Sequence, residues 1–264
     1  MGVPAVVLTF FPHPAVVVRN RVGAFYLTSP EQRASILGDL GVVAVITQTF
    51  DQQVALTSAQ DFMRRIHRHL QPSHLLVGED FALGHGRQGN IEELRCMGND
   101  FNFTLSIFDP VINDDEVISS SRIRSALAEG DMVNAQNLLG RPYRIDGTVI
   151  PGDRRGRSLG IPTANMDVWA ERALPKTGVY ACYAHVEDQT LLAVVNIGTR
   201  PTFDTQNIRQ HVEAHLLQFN GNLYGKQLEL DFIARIRNEQ RYSSVEALVD
   251  QIHQDIQTAE TLLK

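Results

Sequence analysis

The spacing of apolar and polar positions changes character once along the chain, near residue 140. Before that point apolar runs alternate with helical segments. Residues 3–10 and 42–47 are apolar and rich in β-branched side chains, which predicts buried strands; 74–77 and 101–108 are further strands. Between them lie capped helices. Ser29-Pro30-Glu31-Gln32 sets an N-cap, a proline at the first helical position and a capping-box glutamine in order. Thr57-Ser58-Ala59-Gln60 repeats the box. Strand–helix alternation predicts a parallel sheet in an α/β domain. Two short helices follow, 121–128 and 131–139, with Gly130 and Gly140 as their stops.

Leu139-Gly140-Arg141-Pro142 is the expected domain boundary, giving domains 1–138 and 139–264. The segments beyond it are β-rich and separated by turn signals: 143–150, 178–186, 191–197, 210–219 and 227–236. Several such strands in succession predict a small β-barrel. A C-terminal helix closes the chain, with Ser243 as cap, Glu246 completing a capping box, and Val245, Leu248, Val249, Ile252 and Ile256 as its apolar stripe.

Composition narrows the function classes. With 43% hydrophobic and 20% charged residues the chain is of globular type. Its net charge of −6 draws it neither to nucleic acid nor to anionic membrane, and no apolar run reaches spanning length. Cys96 and Cys182 form no disulfide framework or metal pair and read as buried apolar residues. Without a secretory leader pattern at Met1, a cytoplasmic location is expected.

Chemistry concentrates in Gly152 to Asn165. Gly152, Gly156 and Gly160 let backbone approach a ligand, and Arg154, Arg155 and Arg157 offer fixed positive charge to phosphate oxygens. After Pro162, Thr163 and Asn165 present hard oxygens suited to Mg²⁺ beside phosphates. The plainer reading is a solvated turn with an Asn cap. Neither the P-loop pattern nor the protein-kinase motif set occurs in the chain. Farther on, period two puts His211, Glu213 and His215 on one face of a strand. Directed inward beside a metal, Glu213 could serve as a general base; the alternative is an ordinary polar face of an antiparallel sheet. Gly84-His85-Gly86-Arg87-Gln88-Gly89 matches the dinucleotide fingerprint and raises an NAD-dependent oxidoreductase as a rival, although six residues separate it from Val77.

The Gly/Arg-rich segment running into Gly160-Ile161-Pro162-Thr163-Ala164-Asn165 resembles the signature of the riboflavin kinase family. Val195-Asn196-Ile197-Gly198-Thr199-Arg200-Pro201-Thr202-Phe203, Val212-Glu213-Ala214-His215, Leu223-Tyr224-Gly225-Lys226 and Ile236-Arg237-Asn238-Glu239 resemble its later segments. Gly78-Glu79-Asp80-Phe81, Thr9-Phe10-Phe11-Pro12-His13-Pro14 and Ser119-Ser120-Ser121-Arg122-Ile123-Arg124 are similar to the adenylyltransferase half of the bifunctional riboflavin kinase/FAD synthetases. The resemblance implies a Rossmann-like α/β nucleotidyltransferase domain followed by a small β-barrel kinase domain with a C-terminal helix. It also implies conversion of riboflavin and ATP to FMN and ADP, with Mg²⁺ as cofactor and small molecules as partners. Thr163 and Asn165 would hold Mg-ATP, Gly152, Arg155, Gly156, Arg157, Gly160 and Pro162 would line its phosphates, and Glu213 would be the base. Arg237 is a flavin-binding candidate. His13, Gly78, Asp80, Phe81, Ser120, Ser121, Arg122 and Arg124 are implied nucleotide-binding residues of the N-terminal domain.

One departure from the family pattern shapes the expectation. The family's His-x-Gly-His motif and the strand before it are absent, and Phe11 stands where an acidic residue is usual. Either the start is assigned too late or the module is degenerate. Kinase activity with weak or no FAD synthesis is therefore expected. A non-catalytic flavin- or nucleotide-binding regulatory protein is the remaining alternative.

Overall fold

The computed structural model describes residues 2–152, 156, 159–200 and 209–264. They form two compact units: Met1–Gly23 with Thr28–Ile118, and Ala24–Leu27 with Ser119–Lys264.

In the first unit, β1 (Val6–Phe11), α1 (Pro14–Arg19), α2 (Pro30–Asp39), β2 (Ala44–Thr49), α3 (Gln52–Leu56), α4 (Ala59–Leu70), β3 (His74–Gly78), α5 (Ile91–Phe101) and β4 (Thr104–Phe108) follow in order. The expected parallel pairing is present as two ribbons, β1 with β2 and β3 with β4. The fourth strand starts three residues later than its apolar run, because Phe101 still belongs to α5 and Asn102 ends that helix in the left-handed region at φ 56°. Ala59, Met63, Leu94, Met97 and Phe103 form the core beneath β3 and β4. Two details differ from expectation. Ser58, not Thr57, caps α4, accepting from the Asp61 amide at 3.1 Å while its hydroxyl donates to the Asp61 carboxylate at 2.7 Å. Cys96 is exposed, since α5 turns it away from the face carrying Leu94 and Met97.

The glycine-rich stretch after β3 does not open a helix. Leu83 and Gly89 pair across a short 3₁₀ turn, His85–Arg87, and α5 begins only at Ile91 behind its own Asn90 cap. Gly84 has φ +78° and packs on α4, where a Cβ would stand 2.5 Å from the Ala59 amide nitrogen. The glycine is needed for helix packing, and the strand–turn–helix context of a dinucleotide fingerprint is missing.

The second unit holds α6 (Ser120–Glu129), α7 (Met132–Leu139) and a closed six-stranded barrel of β7 (Tyr143–Ile150), β8 (Ala164–Val168), β9 (Gly178–Val186), β10 (Gln189–Arg200), β11 (Arg209–Leu216) and β12 (Gln227–Arg237). A two-residue ribbon, β5 (Ile112–Asn113) with β6 (Glu116–Val117), ends the first unit. The barrel order is β10-β11-β8-β7-β12-β9. Strand alternation fills its interior with Ile145, Cys182, Ile197, Ala214, Leu230 and Phe232, all fully buried. Strand β8 has no counterpart in the sequence reading; its turn-like residues are held extended by antiparallel pairing to both β7 and β11. The closing helix α8 (Val245–Leu262) is capped by Ser244, one residue later than expected, with Ser244 Oγ accepting from the Ala247 amide at 3.2 Å. Through Ala259, with Leu263 just beyond its end, it covers Val179, Ala181 and Val194 on the outer surface of β9 and β10.

An aromatic clip completes this unit. Phe25 and Tyr26 are buried, their rings stacked at 4.3 Å, and Tyr26 lies 4.7 Å from Trp169. Both amides donate to the Glu171 carbonyl, and the Ala173 amide donates to the Tyr26 carbonyl. Trp169 is thus engaged with the clip.

Candidate active site

The outer surface of the barrel beside α8 carries the candidate chemistry. On β11, Val212, Ala214 and Leu216 fill the interior. Glu213 and its neighbours two residues away therefore face outward, not inward as expected. Antiparallel register sets Glu213 directly across from Asn165 on β8 and from Asn196 on β10. Directly opposed residues hold their Cβ atoms about 4.5–5.5 Å apart. A carboxylate is thereby flanked by two carboxamides on adjoining strands, and the Glu213 side chain is 22% exposed.

The three histidine and glutamate positions read from the sequence do share this face, with distinct partners. His215 donates from Nδ1 to the Pro162 carbonyl at 2.7 Å, fixing the chain just before Thr163. His211 Nε2 lies 3.7 Å from Glu213 Oε1. Thr163 is exposed at the entrance to β8, one residue before the ladder begins at Ala164.

The glycines have a steric reason to be glycines. At Gly152 a Cβ would collide with the Asn165 amide, and at Gly156 with the Ile161 carbonyl. The Gly156 carbonyl accepts from the Leu159 and Ile161 amides at 3.1 and 2.9 Å, and Gly160 turns at φ +75°. The loop backbone is thus laid against the two oxygen-bearing side chains, Thr163 and Asn165. Arg154, Arg155 and Arg157 lie outside the described residues, as do Pro201, Thr202 and Phe203.

Arg237 is tied to α8. Its Nε and Nη2 donate to the Asp255 carboxylate of α8 at 2.9 and 2.7 Å, and its guanidinium lies 5.8 Å from the Tyr242 ring centre. Hydrogen bonding to Asp255 holds the guanidinium more firmly charged than usual despite its partial burial.

The N-terminal candidates fall in both units. His13 caps α1, its Nδ1 accepting from the Ala15 amide at 3.1 Å. Gly78 ends β3, and the Asp80 carbonyl accepts from Arg87 Nη2 at 2.7 Å; Phe81 is exposed. Ser120, Ser121, Arg122 and Arg124 belong instead to the barrel unit, on the first turns of α6 behind the Ser119 cap. Arg124 reaches the Phe25 carbonyl and Ser121 Oγ, both at 3.4 Å. Asn196 and Glu239 were quoted within sequence segments yet given no role; only the register and the chain path beyond β12 bring them to this face.

Comparison with known proteins assigns a family to each half of the chain. The riboflavin kinase family model matches residues 139–263, and the FAD synthetase family model matches residues 1–122. The bifunctional riboflavin kinase/FMN adenylyltransferase of Pseudomonas fluorescens is 38% identical over 99% of this chain and 84% of its own length. Its counterpart from Listeria monocytogenes is 36% identical over 97% of this chain and 81% of its own. A crystal structure described as a macrolide-efflux protein from Streptococcus pneumoniae overlays with a TM-score of 0.87 at 29% identity, covering 98% of this chain and 84% of that one. No described helix is long and apolar enough to cross a membrane. With two family models spanning most of its length and full-length relatives above 30% identity, the chain belongs to the bifunctional riboflavin kinase/FMN adenylyltransferase family.

Proposed function

We propose that the barrel unit transfers the γ-phosphoryl group of ATP to the primary hydroxyl of riboflavin, giving FMN and ADP. The observation that carries this reading is the row Asn165–Glu213–Asn196 beside the glycine-backed Thr163. Phosphoryl transfer asks little covalent chemistry of a protein; it asks for positioning, charge neutralisation and a group to orient the attacking hydroxyl. Glu213 fills the last role, accepting the proton that the hydroxyl loses. Asn165 and Asn196 hold the carboxylate's flanks, and the loop from Gly152 presents backbone to the phosphates.

Thr163 and Asn165 fit a Mg²⁺ ion. Both are hard oxygen donors of low charge, which leaves room for phosphate oxygens and waters in the octahedral shell that Mg²⁺ prefers. No cluster of three or more histidine, cysteine or acidic side chains suited to a metal occurs among the described residues, so a site shared between protein and ATP suits this chemistry better than an all-protein cage. Bound there, Mg²⁺ would neutralise charge on the phosphates. A cytoplasmic location suits an enzyme whose substrates are ATP and a vitamin.

Residues 1–122 carry the second activity by family, adenylyl transfer from ATP to FMN. One chromatographic assay with riboflavin, ATP and Mg²⁺ reads both steps. FMN from the native chain, reduced at least about 100-fold in Glu213→Gln, is expected, since a general base typically contributes 10²–10⁴-fold. FMN formation undiminished in Glu213→Gln would refute the base assignment. Riboflavin binding without any FMN would favour the regulatory alternative, and FAD appearing after FMN reads the second step.

A further inference from the structure

Beside Glu213 lies an imidazole to which the reaction above gives no part. His211 sits two residues before Glu213 on β11, with Nε2 3.7 Å from Glu213 Oε1. Its register partner on β10 is Gly198. That glycine has no unusual backbone angle, so its lack of a side chain has another cause. A Cβ at Gly198 would stand 2.5 Å from Glu239 Oε1, 2.6 Å from His211 Cε1 and 3.0 Å from His211 Nε2. The Glu239 carboxylate, two residues past the end of β12, and the His211 ring thus meet over the bare Cα of Gly198. His211 Nδ1 is buried and has no hydrogen-bond partner among the described residues.

Resting on Glu213 as the base, we propose that His211 is a positioning residue, seated over Gly198 next to Glu239 so that its ring fixes the Glu213 carboxylate for the approaching hydroxyl. Three elements converge to make this arrangement, and each supplies something the others lack. Strand β11 brings the imidazole and the base onto one face, β10 supplies the gap, and the residues after β12 supply the opposing carboxylate. A carboxylate on an outer barrel face has three rotatable bonds, and a base must stay within hydrogen-bond reach of its proton. The 3.7 Å separation is an ion-pair distance that needs to close by less than 1 Å to become a hydrogen bond, and such contacts commonly tighten when substrate engages. A displacement of about 1 Å at a reacting group can cost about 100-fold in rate.

The test is steady-state FMN formation by the full chain, comparing His211→Ala, His211→Gln, Gly198→Ala, Glu213→Gln and the double variant His211→Ala/Glu213→Gln. His211→Ala is expected to lower kcat about 10- to 100-fold while KM for riboflavin and ATP stays within about twofold. His211→Gln keeps an N–H donor of similar reach and should recover most of that loss; it also guards against a His211→Ala chain that fails to fold. Gly198→Ala should imitate His211→Ala, because its methyl displaces ring and carboxylate together. The deciding comparison is the double variant. If His211 acts through Glu213, the double should be no slower than Glu213→Gln alone. A further fall by the full His211→Ala factor, or a His211→Ala chain with native kcat, would overturn the proposal while leaving Glu213 as the base. A Glu213→Gln chain with native kcat would overturn the base assignment and this proposal with it.

Discussion

Tyr26 offers a direct measure of how far the barrel unit depends on residues far from it in sequence. Its ring is 4% exposed and lies between Phe25 at 4.3 Å and Trp169 at 4.7 Å. Truncation to alanine leaves the backbone bonds from Glu171 and Ala173 in place and removes only the ring. Large aromatic-to-alanine changes in a packed interior cost about 3–5 kcal/mol, and an aromatic pair adds about 0.5–1.5 kcal/mol beyond its area. Against a total stability of about 5–15 kcal/mol, that is a large share. For a unit of this size each kcal/mol moves the midpoint by about 2–4 °C, so at a cost of about 4 kcal/mol Tyr26→Ala should melt roughly 8–16 °C lower. The chain has one tryptophan, Trp169, so its fluorescence reports on this contact alone. Thermal unfolding followed by that emission should show the lower midpoint and, at 20 °C, a red-shifted spectrum from a wetter indole. A midpoint within about 2 °C of native, with unshifted emission, would refute the idea that the clip is part of the barrel's core.

Other expectations follow from buried charge. Burial alone would raise the Asp231 carboxyl, but hydrogen bonds from Arg144 and His185 outweigh it and hold the group below its ordinary value of 3.8. Its stabilising contribution is therefore complete above that value and lost as pH falls through the folded-state value. Melting temperatures between pH 5 and pH 2 should drop more steeply for the native chain than for Asp231→Asn. Replacing Arg237 by Met would leave Asp255, 2% exposed, with only the Gln251 amide and without its cation, at a cost of about 3–5 kcal/mol read as a lower denaturant midpoint. An unchanged midpoint would mean that the ion pair does not anchor α8. Burial pushes the Cys182 thiol well above its ordinary range, whereas Cys96 is exposed. A thiol reagent should label one group in the folded chain and two after unfolding; two in the folded chain would contradict the packed barrel interior.

The barrel was legible in the sequence wherever one face of a strand is buried and the other wet. In 143–150 every second residue is buried, and the predicted limits of that strand match the structure. Strand β8 was not legible, because it follows directly on the turn formers Pro162 and Thr163, and what holds Ala164 to Val168 extended is pairing with two strands remote in sequence. The same physics governs the site. Glu213 and Asn165 could each be singled out by residue type, but their adjacency, and that of Asn196, is a property of register. Outward or inward orientation was a choice between two faces that period two alone cannot make; the apolar residues Val212 and Ala214 settle it by filling the interior. Arg237 had the chemistry of an anion binder, and only the return of α8 across the barrel supplies Asp255 as its partner. Gly84 and Gly89 matched a phosphate-binding pattern that their actual neighbour, Ala59, explains as close packing.

The clip also bears on the order in which this fold can be completed. Tyr26 pairs with Arg172, more than half the chain away, so the loop closed between them is long and its closing late. During synthesis Phe25 and Tyr26 emerge early and stay solvent-accessible until β8 and the residues after it have left the ribosome. Two sticky aromatic side chains are thus held in waiting through most of translation, a window in which chaperone capture or premature collapse competes with folding. A fragment starting at residue 139 would never receive them, and its Trp169 would face water where the full chain provides a ring.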